Sequence, residues 1–529
     1  MFGLGCRPRS SGGERADLLI LGRIHTLEPR PASALAIRGG VIQAIGSADE
    51  LAPLRGPTTR VIELGDGVAL PGLHDAHAHL IGLGRSREIV DLRGAGSVAE
   101  VVQRLRDAGP REGWILGRGW DQNLWGGAMP SKTALDEAFA DRPVWLERID
   151  GHAGWASSAT LAQAGIDASS VAPEGGEILR DEQGSVSGVL VDAAMDLIPV
   201  PTPSASDVER WMNDATREAA RQGLVAVHEM GMDALAAVAF ASAELPIRVF
   251  GYASESWWSA GLPGRPEPRS SRFGLEGVKL YVDGALGSRG AALLEPYADR
   301  PDSRGLLLHE PEVFVELALG VLEQGLQPAT HAIGDRGNRT ILDAYAAALA
   351  RVPAGRQLRP RVEHAQVVDL GDIQRMAELG VVASMQPTHA TSDMPWAPQR
   401  LGDERLAGAY AWRRMLDAGV ALAFGSDFPV EQVSPLLGLH AAITRQDRAG
   451  QPEGGWLPDQ RLTLGEAIAA FSSGAAWAVG RERELGRLAL GYAADLTLLA
   501  GDPFVAEPGE LPEIGVRGTI VGGELVFEG

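Results

Sequence analysis

The chain is poor in cysteine, in lysine and in long apolar runs. Among its 529 residues there is one cysteine, Cys6. One thiol excludes an intrachain disulfide framework and any cysteine-rich metal site, leaving imidazole and carboxylate as ligands. No apolar run reaches the roughly 18 to 20 residues of a membrane span, and Met1 to Arg15 lacks the apolar core of a signal peptide. A cytoplasmic protein with no membrane partner is expected. Positive charge is also scarce, 48 basic against 69 acidic residues for a formal charge of −21, which excludes nucleic acid as an expected partner.

Only two of the basic residues are lysines, Lys132 and Lys279. Arginine serves almost everywhere else, so Lys279 in the apolar strand pattern LEGVKLYVDG needs a reason. An unpaired ammonium is costly to bury. In a dry site, however, lysine shifts its pKa and reacts as a neutral amine, which guanidinium does not. Carboxylation by carbon dioxide is one such reaction and yields an anionic carbamate able to bridge two metals. The plainer reading is a stem along apolar surface with its head in water.

What is present suggests three parts. MFGLGCRPRSSGGER, residues 1–15, reads as a disordered leader. Residues 16–66 and 480–529 hold short β-type runs with Gly-Gly turns at Gly39-Gly40 and Gly522-Gly523. The two chain ends are therefore expected to pair into a small β-sandwich. Residues 67–479 repeat an apolar strand followed by an amphipathic helix. The strands fall near 68–79, 225–230, 247–253, 277–284, 327–334, 361–366, 381–387 and 421–427. Eight such units predict an α/β fold, a parallel (β/α)8 barrel closed by helices. About 140 residues separate the first two strands, too many for one helix, so an inserted subdomain is expected at about 85–205.

In GVALPGLHDAHAHL alternation along a strand puts His77 and His79 on one face. Lys279 falls on strand four, His331 on strand five, His364 on strand six and Asp427 on strand eight. All lie at or near the C-terminal mouth, where such barrels build their chemistry. A lone strand histidine is usually a hydrogen-bonded structural residue; coincidence on five strands is not.

These motifs, in this order, resemble the amidohydrolase superfamily over essentially the whole chain. GRGWDQNLW, IDGHAGWASSATL, VKLYVDGALGSR, THAIGDRGN, RVEHAQ and GSDFPVEQVSP are similar to its YtcJ-like branch, amidohydrolase family 3, which includes N-substituted formamide deformylase. His74 departs from the pattern, where an aliphatic residue is usual. The resemblance implies a metal-dependent hydrolase of carbon–nitrogen bonds other than peptide bonds, with zinc as cofactor. It implies one zinc on His77, His79 and Asp427, a second on His331 and His364, and carboxylated Lys279 bridging them. Asp427 would take a proton from the attacking water and return it to the leaving nitrogen.

Other residues carry weaker expectations. His152 and His389 are candidate catalytic groups that position the carbonyl or stabilise its oxyanion. Trp120, Asp121, Trp125, His228 and Glu229 are candidate substrate contacts. Glu229 and Asp335 would alternatively orient a ligating imidazole, while Asp283, Arg289 and Gln386 have no assignable role. His25, His309 and His440 are expected to be structural. Five of the 12 tryptophans lie within residues 114–155, either the core of the insertion or an aromatic wall for an apolar amide. The expected partner is a small molecule, with a homodimer possible. Competing readings are a mononuclear deaminase, a cyclic-amide or lactone hydrolase, and a non-catalytic binding protein.

Overall fold

The computed structural model describes residues 14–27, 32–108 and 113–529. Apart from Glu14 and Arg15, the expected leader, with Cys6, lies outside the described residues. All eight expected barrel strands are present: Leu73–Ala78, Leu224–Met232, Arg248–Ser254, Phe273–Tyr281, Gln327–Ala332, Arg361–His364, Val382–Met385 and Ala421–Phe424. Each pairs in parallel with the next in chain order.

The seam between the first and eighth strands is closed by the segment just after the eighth. Asp427 N–H donates to the His77 carbonyl at 2.8 Å, and His79 N–H to the Phe428 carbonyl at 2.8 Å. The Asp75 carboxylate accepts the Ser426 hydroxyl at 2.6 Å and its N–H at 3.0 Å. Gly425 permits this approach, because a Cβ there would come within 2.5 Å of both Asp75 Oδ1 and His77 N. Closure thus brings two candidate ligands, 77 and 427, together through the backbone itself.

The first strand is shorter than its apolar run. Val68 to Pro71 belongs to the strand Arg60–Pro71, which pairs with Leu18–Ile24 and Leu496–Leu499 in a seven-stranded sheet built from both chain ends. The barrel strand begins after Gly72, where a Cβ would meet Val225 at 2.5 Å, so the chain changes sheets where only glycine fits. The two Gly-Gly hairpins are present, with φ of 55 and 79 at Gly39 and Gly40 and 58 and 79 at Gly522 and Gly523.

Between the first two barrel strands lies a separate six-stranded sheet running from Val90–Asp91 to Val186–Asp192. Trp120, Trp155, Leu146 and Val189 are fully buried in its core. The chain returns to the barrel through the helix Ala205–Arg221, started by a Ser204–Asp207 capping box and burying Val208, Trp211, Met212 and Ala215. Among the described residues no helix is long and apolar enough to cross a membrane.

Candidate active site

Imidazoles converge at the barrel mouth with their Nδ1 atoms committed outward. His77 Nδ1–H donates to Glu363 Oε2 at 2.6 Å, His79 Nδ1–H to the Met230 carbonyl at 3.0 Å, and His364 Nδ1–H to Gln386 Oε1 at 2.8 Å. Tying down Nδ1 leaves Nε2, with its lone pair, as the free ring atom. His79 Nε2 lies 3.2 Å and His77 Nε2 3.5 Å from Asp427 Oδ1. One ligand atom each from His77, His364 and Asp427 lies within 4.8 Å of the others.

Two of these candidate ligands adopt an unusual backbone. His364 has φ 73 and Asp427 φ 61, a region that non-glycine residues occupy at a cost of about 1–3 kcal/mol. At His364 the departure from strand geometry comes immediately after Glu363, whose carboxylate accepts from His77 Nδ1.

Burial sets the charge states. It lowers His77 to about 4, despite the raising effect of Glu363 and Asp427, and drives His331 and His364 well below the ordinary imidazole value. Neutral imidazole is the form that binds a metal. Burial alone would raise the Asp427 carboxyl, but the neighbouring His77, His79 and His389 rings hold it below the carboxylate range. Lys279 is 1% exposed, and burial pushes its ammonium down to about 8, although Glu363 and Asp427 oppose this. Its Nζ lies 3.5 Å from His77 Nε2.

The donor set fits a cation. Asp427 Oδ1 is buried without a hydrogen-bond partner among the described residues and faces the Nε2 atoms of His77 and His79. Electron-rich atoms this close need positive charge between them, and imidazole with carboxylate is ordinary zinc chemistry. His77, His364 and Asp427 form the compact set, with His79 beside them. His331 stands 4.6 Å ring to ring from His364, but its Nε2 faces the Gly284 carbonyl at 3.4 Å.

Below the ligands lies a charge network that was not singled out from the sequence. Arg361 is fully buried and donates to Glu363 at 2.7 and 3.1 Å, His228 Nδ1 at 2.9 Å, the Tyr252 hydroxyl at 3.0 Å and the Ala76 carbonyl at 2.6 Å. Burial would raise the Glu363 carboxyl, yet Arg361 and His77 hold it well below the ordinary range, so it stays an acceptor for His77. The available signal was Arg361 and Glu363 two apart on one strand, hence on one face.

Two adjoining cavities of about 490 and 670 Å³ meet at His152, His331, His364 and Asp427. His389 borders the smaller one; its Nδ1 accepts from Gln366 at 3.0 Å and its Nε2 lies 3.7 Å from Asp427 Oδ2. Asp121 borders the same cavity and accepts from Arg148 at 2.7 Å. Trp120 and Trp125 border neither. Trp120 is fully buried in the insertion, its indole N–H bonded to the Leu146 carbonyl and its ring stacked on Trp125. Trp396, outside the sequence cluster, lines the smaller cavity instead. His228 also borders neither, held within the barrel by Arg361.

Glu229 borders the larger cavity but orients no imidazole. It accepts the N–H groups of Leu80 and Ile81, at the start of the helix that follows His79. Asp335 likewise binds backbone, the Leu294 N–H at 2.8 Å. Asp283 gains a role: it accepts from Ala292, Ile333 and Gly334 at 2.8–2.9 Å, fixing the turn beyond His331. Gln386 gains one too, as the acceptor that holds His364. His74 is fully buried with neither ring nitrogen bonded among the described residues, and burial lowers it to about 4.

The model of the Amidohydrolase family matches residues 60–527. The chain is 34% identical to a protein of Bacillus subtilis named "Putative amidohydrolase YtcJ", over 96% of this chain and 98% of that one. It is 28% identical to the N-substituted formamide deformylase of Arthrobacter pascens, over 97% and 98%. Among solved structures, an uncharacterized metal-dependent hydrolase from Pyrococcus horikoshii superimposes with a TM-score of 0.75 at 28% identity, covering 93% of this chain and 99% of that one.

Proposed function

The chain belongs to the amidohydrolase family, and we propose that within it the protein hydrolyses the C–N bond of a small N-formyl or N-acyl amide. The observation that carries this reading is the compact set of His77, His364 and Asp427, of which His364 and Asp427 border both cavities and His77 the larger. An amide has two arms, one on each side of its carbonyl, and two cavities meeting at the ligands give each arm a place. Leu286, Val430 and Trp396 supply apolar wall to the smaller cavity, Met230 and Leu308 to the larger. These residues, rather than Trp120 and Trp125, support an apolar substituent. The Arthrobacter relative, named for N-substituted formamides, supports the N-formyl choice.

His77, His79, His364 and Asp427 would hold zinc, and Lys279, if carboxylated, would with His331 supply donors to a second ion. A bound ion supplies Lewis acidity, bringing a water toward a pKa of about 7 and polarising a carbonyl. Asp427 is the base that receives the proton of the attacking water. His389, whose Nε2 is directed at Asp427 and has no hydrogen-bond partner among the described residues, is the proposed donor to the developing oxyanion.

The test combines elemental analysis of protein purified without chelator, in bicarbonate buffer, with turnover of N-formyl and N-acyl amides. About two equivalents of metal and amide turnover support the reading. One equivalent with deamination of a ring C–N bond favours the mononuclear alternative, and no metal after reconstitution favours a binding protein. Asp427→Asn is expected to slow turnover about 10²–10⁴-fold while the histidines still retain metal; loss of metal instead makes Asp427 mainly structural.

A further inference from the structure

The insertion delivers its own pair of functional groups to the centre. His152 precedes the strand Ala153–Ala156 and Asp192 ends the strand Val186–Asp192. His152 Nδ1–H donates to Asp192 Oδ1 at 2.6 Å, and Asp192 N–H donates to the His152 carbonyl at 3.1 Å. A carboxylate only accepts, so Asp192 fixes one proton on Nδ1, and the second proton that the charged ring carries sits on Nε2, away from Asp192. That ring borders both cavities and stands 5.0 Å from His331.

Two further observations single out Asp192. Its φ is 47, a region unfavourable for any residue with a Cβ. Its carboxylate also seats against two glycines of the loop after the fourth barrel strand: a Cβ on Gly284 would come within 2.7 Å of Asp192 Oδ2, and one on Gly290 within 3.0 Å. Gly284 is the residue whose carbonyl faces His331. The barrel thus leaves room for this carboxylate beside a candidate ligand, and the insertion accepts a costly backbone to fill it.

Resting on the amide-hydrolase reading, we propose that Asp192 is a positioning residue that holds His152 as proton donor to the leaving nitrogen, so that the insertion completes the active site. Water oxygen bonds to the carbonyl carbon, and its proton passes to Asp427. The C–N bond then breaks with its electron pair going to nitrogen, which takes the Nε2 proton of the His152 imidazolium and leaves the ring neutral with its remaining proton on Nδ1. Asp427 releases its proton to solvent and His152 regains one, so the enzyme returns unchanged. Attack and departure are served from different sides, Asp427 from the barrel and His152 from the insertion.

The test compares zinc-loaded wild type, His152→Gln and Asp192→Asn on two formamides, N-benzylformamide with a basic leaving amine and 4-nitroformanilide with a poorly basic one. The expected result is a loss of at least about 100-fold in kcat/KM on N-benzylformamide and under about 10-fold on 4-nitroformanilide, in both variants at unchanged zinc content. An equal loss on both substrates overturns the proposal. If Asp192→Asn does not fold, the ratio from His152→Gln decides alone. If wild type turns over neither amide, the hydrolase reading fails separately, and a crystal structure of the zinc-loaded protein decides this one. His152 still bonded to Asp192 with Nε2 facing the zinc supports it; His152 swung off Asp192 overturns it.

Discussion

His77 donates through Nδ1 to Glu363 Oε2 across 2.6 Å, and the same carboxylate is gripped by Arg361. This bond sets which nitrogen of His77 faces the candidate metal centre and would strengthen it as a donor. Glu363→Gln is therefore expected to weaken metal affinity about 10–100-fold, measured by competition with a chelator. It also leaves the Arg361 cation buried without its counter-charge, at a cost of about 3–5 kcal/mol, visible as a lower Tm.

Glu229 gives a pH signature. Burial raises its carboxyl from 4.5 to about 7, although it accepts two backbone N–H groups. Between these values the folded protein holds a proton that the unfolded chain has released, so stability falls as pH rises through this window and levels off above it. Glu229→Gln keeps an acceptor and has no such dependence. The stability difference should therefore shift in favour of the variant from pH 4.5 to 7, by up to about 1.4 kcal/mol per pH unit. Tm of both proteins across that range checks it; parallel curves refute the assignment.

Gly425→Ala tests the closure of the barrel. The added Cβ would press on Asp75 Oδ1 and His77 N at 2.5 Å. A loss of about 1–3 kcal/mol is expected, together with metal loss, because the same seam carries Asp427. A variant that is stable and fully metallated contradicts this coupling.

The two tryptophan readings separate by substitution. Trp120→Ala should cost about 3–5 kcal/mol as a core cavity in the insertion without reordering preferences among amides. Trp396→Ala, at the smaller cavity, should change relative KM values with little change in Tm. The opposite pattern would return Trp120 to the substrate.

The eight strands were legible because parallel barrel strands are buried on both faces and read as short apolar runs. The paired histidines were legible because strand alternation is local. The start of the first strand was not legible, since Val68 to Pro71 is equally apolar in the terminal sheet and only the crowding at Gly72 marks the change. The tryptophan cluster was ambiguous because an indole suits a core and a binding wall alike; only the fold shows that Trp120 and Trp155 are fully buried in the insertion.

The sequence by itself determined the fold class and the candidate ligands, because these follow from local periodicity and from residue types whose chemistry is narrow, and the resemblance of its motifs pointed to the family. Only the tertiary structure decided what holds those ligands. Glu363 meets His77 across 286 positions, Asp75 meets Ser426 across 351, and Asp192 meets a glycine pair of the barrel loop. A hydrogen bond depends on angstroms in space, and no spacing along the chain encodes it until the strands close into a ring.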